Sequence, residues 1–157
     1  MKANMGLDSI ELYSFNFNMH SDFYQVIWDL VPEFAAVGLK SQRFDLLAHD
    51  PRMVEFQHVI EKTSLTCGLE GISPRLRAYL HKNLETDELH TSLEAIFASR
   101  ARGLKVFLIA TGLEEAEDFR EFEQLVGHMA AVRSSTGAHT RVMFSITPLV
   151  RFPWTPL

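Results

Sequence analysis

The chain has 157 residues, 46% of them hydrophobic, and a formal net charge of −5, a size and apolar share that suit one globular domain over residues 1–157 with its own core. The acidic balance, with a pI of about 5.8, excludes a general nucleic-acid binder, which needs a basic stripe to neutralise phosphates. The lone thiol, Cys67, excludes an internal disulfide and a cysteine-built zinc site, and it fits a reducing, cytoplasmic setting.

MKANMGLDSI carries no long apolar run, so neither a signal peptide nor a transmembrane helix is expected there. The first apolar run predicts a strand over Ser9–Phe15. Phe23, Ile27, Leu30 and Phe34 then fall at helical spacing, with Pro32 as a kink and Gly38 as a C-terminal cap. A second strand is expected over Leu39–Leu46, and Asp50-Pro51 opens a helix by placing a capping carboxylate ahead of a proline. A third strand, Ser64–Leu69, leads into Gly68-Leu69-Glu70-Gly71, and Ser73-Pro74 starts another helix. Leu89, Leu93, Ile96 and Phe97 mark the next helix, capped by Gly103 ahead of a strand at Lys105–Ala110. Glu114, Glu115, Glu117 and Asp118 crowd a helix start, where the dipole favours anions, and Phe119, Phe122, Val126 and Met129 form its apolar stripe. The last strand is expected over Arg141–Thr147.

The resulting order is β-α-β-α-β-α-α-β-α-β, with near-continuous apolar strands that suit parallel pairing under helices on both faces. Either a doubly wound sheet or a barrel satisfies it, and both gather ligands at the C-terminal ends of their strands. Glu70, between two glycines, sits at such an end. The chain starts almost directly on a strand and leaves the last one through TPLVRFPWTPL. Both ends therefore read as cut, with strand edges open to pairing.

At these strand ends the sequence resembles the radical S-adenosylmethionine (SAM) enzymes, whose core is an open (β/α)6 barrel. SLTCGLEGISPRLRAYLHKN is similar to the family's fourth strand and following helix. There the resemblance implies that Glu70 contacts the ribose or methionine part of SAM and that Lys82 meets its carboxylate. GLKVFLIATGLEEAEDFREFEQL resembles the fifth strand and its Gly-x-x-Glu turn, with Gly112 and Glu115 matching. RVMFSITPLVRFPWTPL resembles the sixth strand, which would bring backbone at Leu149 and Val150 past adenine. The second strand ends FNFNMHSD where the family has a Gly-Gly-rich motif, so Asn16 or Asn18 would receive the SAM amino group. The implied fold is α/β, a partial (β/α)6 TIM-like barrel of about five parallel strands with helices outside, covering strands two to six. The wording of the chain comes nearest the subgroup with an upstream cobalamin-binding domain.

Two departures stand out. The Cys-x3-Cys-x2-Cys motif that holds a [4Fe–4S] cluster is absent, and Leu108 and Ala110 occupy glycine-type positions of the fifth-strand pattern. The resemblance therefore implies a fragment: the SAM-binding part of a parent that cleaves SAM reductively, completed by an upstream cluster-binding segment or domain, and inactive alone.

Each residue also has a plainer reading. Glu70 could cap the helix near Ser73, Lys82 could be a solvated helix-end cation, and Arg43 and Asp45 could be an ordinary ion pair or a polar pair reaching the ligand. Asn16 and Asn18 suit a turn, and Cys67 suits a small core side chain. The seven histidines show no metal-ligand spacing. Two other functions compete: a non-catalytic interaction module that forms a homo-oligomer through its strand edges, and an independent enzyme using Glu70 and Asp45 as acid and base.

Overall fold

The computed structural model describes residues 6–13, 17–39, 41–60 and 64–154. Its elements are β1 (Ser9–Leu12), a 3-10 turn (Phe17–Met19), α1 (Phe23–Leu30), β2 (Ala36–Leu39), α2 (Phe44–His49) and α3 (Arg52–Val59). They continue as β3 (Ser64–Glu70), α4 (Pro74–Tyr79), α5 (Thr86–Ala98), β4 (Gly103–Ala110), α6 (Ala116–Thr136) and β5 (Arg141–Pro148).

Every strand pair is parallel, but the strands form two sheets, β1-β2 and β3-β4-β5. This corrects the expected partial TIM-like barrel with five parallel strands in one sheet: the architecture is α/β with two small parallel sheets. The break falls between β2 and β3. The strand expected over Leu39–Leu46 ends at Leu39, and the chain touches β3 again only through the single bridge Gln42↔Cys67, with Gln42 N–H donating to Thr66 O at 2.8 Å. Arg43 then turns into α2. Phe44 and Leu47, one helical turn apart, are 1% and 0% exposed, so burying both on one side favours a helix over continued strand pairing.

Each sheet has its own core. Phe44 and Leu47 pack with Leu65, Cys67, Leu69, Leu93, Ile96, Phe97, Val106 and Leu108 around the larger sheet. Phe23, Ile27, Phe34, Val37, Leu39 and Phe56 form the second core around the smaller one. Met53, half-buried, packs against both. Gly38 and Gly103 lie inside β2 and β4, not at the helix ends expected for them. The apolar stripe of α6 is also shifted. Leu125 and Met129 are buried, whereas Phe119 and Val126 are 53% and 39% exposed. The described part of Ser9–Phe15 pairs as Ser9–Leu12, and Ser14–Asn16 lie outside the described residues.

A buried polar knot fixes the loops at the strand ends. Ser73 caps α4 by accepting from Leu76 N–H at 3.1 Å. Its hydroxyl donates to Asp118 Oδ1 at 2.5 Å, and Arg75 pairs with the same carboxylate. Asp118 also accepts from Glu115 N–H at 2.7 Å, closing the capping box of α6. The starts of α4 and α6 are thereby tied together just beyond β3 and β4.

Candidate functional site

A cleft of about 370 Å³ opens at the C-terminal ends of β3, β4 and β5. Gln42, Arg43, Gly68, Glu70, Lys82 and Thr147 contribute to its lining, with Phe107 and Ile109 forming an apolar wall. That volume lies within the range common for small-ligand pockets.

Glu70 is placed by a β-bulge. The β3–β4 register slips between Gly68 and Glu70, and Glu70 takes the left-handed conformation, φ 67°. Such a conformation is costly for a residue with a side chain, and bulges recur where a strand end must re-aim a side chain. The carboxylate folds back over Gly68: a Cβ there would lie 2.2 Å from Glu70 Oε1. Gly71 serves a different end. A Cβ on it would meet Leu76 C at 2.6 Å and Arg77 N at 2.5 Å, so its bareness lets α4 pack against the strand tip. The two glycines flanking Glu70 thus have separate jobs, one for the carboxylate and one for the helix.

Lys82 follows α4 and points back to β3, its Nζ 3.8 Å from Glu70 Oε1, with side-chain exposures of 15% and 31%. At that distance the pair is electrostatic and longer than a hydrogen bond, so both groups can engage a ligand. Arg43 meets Asp45 bidentately, Nε to Oδ1 at 2.9 Å and Nη2 to Oδ2 at 2.6 Å. Burial pushes the Asp45 carboxyl up, but the hydrogen bonds and charge of Arg43 outweigh it and hold the group below its usual range. Arg43 lines the cleft; Asp45 is not part of the lining and acts on it by holding the guanidinium.

The other expected residues lie apart. Gly112 adopts φ 77° in the loop after β4, its N–H donating to Glu114 Oε2 at 2.9 Å. Glu114 also accepts from Thr111 N–H and hydroxyl, at 2.7 and 2.8 Å. Burial raises its pKa, and these hydrogen bonds bring it below the ordinary value. Glu114 thus ties that loop, while Glu115 caps α6. Leu149 extends β5 by donating to Ala110 O at 2.8 Å, and Val150 is 59% exposed; neither lines the cleft. Asn18 is buried in the 3-10 turn against Met53 Sδ at 3.9 Å, away from the cleft lining. Asn16 lies outside the described residues.

Gln42 was not singled out by sequence reading. It is 3% exposed, lines the cleft, and neither end of its amide has a hydrogen-bond partner among the described residues. The expected strand across Leu39–Leu46 hid it, because a residue inside that run reads as ladder, not as a strand end. Thr147, whose hydroxyl donates to Leu108 O at 3.4 Å, completes the far side.

No group of three or more His, Cys, Asp or Glu side chains among the described residues is placed to hold a metal ion. Cys67 is buried in β3. One thiol inside a core cannot supply the three thiolates that a [4Fe–4S] cluster needs, so the residues present do not fit that group. Among the described residues, no helix is long and apolar enough to cross a membrane. No protein-family model matches the chain, and no curated protein matches it.

Proposed function

We propose that the chain binds SAM in the cleft at the ends of β3–β5, as the SAM-holding portion of a radical SAM enzyme. The observation that carries this reading is the convergence of Glu70 and Lys82 on one wall of the cleft. SAM presents a ribose diol and an α-carboxylate. A carboxylate accepts from both hydroxyls, and an ammonium pairs with the carboxylate. Parting a loose, partly solvated ion pair to admit those groups costs about 1 kcal/mol or less. Phe107 and Ile109 offer an apolar surface for the adenosyl group.

Since Cys67 cannot build a cluster, the thiolates for radical chemistry, and any cobalamin, would come from a partner segment or domain. By itself the chain holds SAM without cleaving it. A cytoplasmic setting belongs to the same reading and rests on the single buried thiol.

Titrating SAM into the intact chain by NMR tests this. The expected result is saturable binding with a Kd on the order of 0.1–1 mM, about −4 to −5.5 kcal/mol, weakened at least tenfold in the Glu70→Gln/Lys82→Met double variant. No binding, or an affinity indifferent to those substitutions, refutes it.

A second reading, a self-associating interaction module, is favoured by one observation. β5 has only β4 beside it in the described sheet, and Met143, Ile146, Phe152 and Trp154 on and after it are 45%, 65%, 66% and 101% exposed. Exposed edges with apolar side chains invite strand pairing. Sedimentation velocity across a hundredfold range of concentration decides: a concentration-dependent dimer supports this reading, and a monomer throughout removes it.

A further inference from the structure

The arginines divide into groups. Arg43, Arg52, Arg75 and Arg120 each meet a carboxylate: Asp45, Asp50, Asp118 and Glu117. Arg100, Arg102, Arg133, Arg141 and Arg151 are exposed and belong to no ion pair among the described residues; Arg151, beyond β5, donates instead to the Tyr79 hydroxyl at 3.3 Å. Arg100, Arg102, Arg133 and Arg141 lie toward the N-terminal end of the larger sheet, opposite the cleft; Arg100 and Arg102 line one concavity there, and Arg133 lines a separate groove with Phe97, Val142 and Phe144.

The fold forces this gathering. Arg100 and Arg102 flank Ala101 in the turn from α5 to β4, Arg133 lies in the last turn of α6, and Arg141 opens β5. Ala101 and Thr140 are 4% and 1% exposed, and Thr140 Oγ1 donates to Ala101 O at 2.6 Å. With alternate residues of both turns fixed inward, Arg100, Arg102, His139 and Arg141 are left facing out. Arg141 N–H donates to Arg102 O at 2.9 Å, which locks the turns side by side. Arg100 holds φ 58°, a left-handed position costly for a side-chain-bearing residue. Between the turns lies a concavity of about 370 Å³, lined by Arg100, Ala101, Arg102, Thr136, Gly137 and His139, with no acidic residue among them.

Helix ends account for part of this charge. The C-termini of α5 and α6 meet here, and each carries about half a negative charge. Two such ends offset about one guanidinium, so the described arginines at this end keep a net positive charge. That excess stands out in a chain whose formal net charge is −5.

We propose that this concavity and its rim dock an acidic peptide segment of a partner protein or neighbouring domain. The cations are spread along two turns, an arrangement that suits a run of carboxylates over a single anion. Arginine forks pair bidentately with carboxylates. Among the described residues no Phe, Tyr or Trp lines the concavity, so they offer no stacking platform of the kind single-stranded nucleic acid uses. The site lies at the opposite end of the sheet from the SAM cleft and does not rest on that reading.

The test is fluorescence anisotropy of labelled hexaglutamate with the intact chain. Hexaglutamate is expected to bind and hexaglutamine not, with the Kd rising about tenfold or more from about 50 to 200 mM salt as screening grows. The Arg100→Gln/Arg102→Gln variant should lose about tenfold in affinity, whereas Arg52→Gln/Arg120→Gln, whose arginines already have acidic partners, should match the parent chain. Arg102→Gln alone is expected to weaken binding in the same direction should the double variant fail to fold. Equal binding of hexaglutamine, unchanged affinity in a variant with parental melting, or tighter binding of a single-stranded RNA of equal charge overturns the proposal.

Discussion

Replacing Gly68 with alanine separates the site from the scaffold. The new methyl carbon would lie 2.2 Å from Glu70 Oε1 and 3.6 Å from Lys82 Nζ, with no backbone atom among its near neighbours. The first distance is far inside van der Waals contact, so the carboxylate must swing away; the second is an ordinary contact. Because the displaced atom is the tip of a side chain, the fold can absorb the change. Gly→Ala also removes unfolded-state freedom worth about 0.4–1 kcal/mol, so net stability should stay within about 1 kcal/mol of the parent. Ligand binding should not. Loss of one charge-assisted hydrogen bond, about 1.5–3 kcal/mol, corresponds to roughly 10- to 150-fold weaker SAM binding. Urea denaturation and NMR titration of the same preparation measure both quantities. Gly68→Ala binding SAM as tightly as the parent would show that the folded-back Glu70 carboxylate plays no part in holding it. A loss of several kcal/mol in stability would show that the glycine serves the fold and not the site.

Two pH dependences follow from the buried polar groups. Hydrogen bonds from Arg75, and then Ser73, hold the Asp118 carboxyl far below its ordinary value. The stability this contributes is present above the unfolded aspartate pKa of about 3.9 and is lost as pH falls below it. Asp118→Asn should therefore lower the urea midpoint at pH 7 and flatten the acid limb of the stability profile; an unchanged limb removes the assignment. His90 stacks on His128 with centroids 3.9 Å apart and planes 22° apart. Desolvation first, then the His128 charge, lowers its pKa, with Arg77 acting the same way and Asp87 and Glu94 acting oppositely. A depressed base is kept neutral by the fold, so stability present above about pH 6.5 declines as pH drops below it. In His90→Phe that decline below about pH 6.5 should shrink, read as thermal midpoints at successively lower pH.

Local chemistry made much of the chain readable. Ser73 caps α4 where a serine before a proline predicts it, because the cap needs only neighbours within three residues. Leu65, Cys67 and Leu69 alternate inward along β3, and Leu89, Leu93, Ile96 and Phe97 are buried on α5, because burial follows the period of the element. The run from Leu39 to Leu46 misleads for the same reason. Its apolar content suits a strand or a helix, and Phe44 and Leu47 choose the helix only when β3 and α5 are there to cover them.

The sequence by itself determined the alternation of strands and helices and the presence of an acid at the end of the third strand, since these depend on spacing and on turn residues. Only tertiary structure decided that the strands divide into two sheets, that a bulge turns Glu70 back over Gly68 toward Lys82, that Gln42 enters the cleft wall, and that Arg100 and Arg102, without an ion pair among the described residues, line a concavity at the other end. Those outcomes depend on which distant residues come to lie side by side, and pairing across 39 positions, as between Ala101 and Thr140 or Arg102 and Arg141, leaves no periodic mark in the chain.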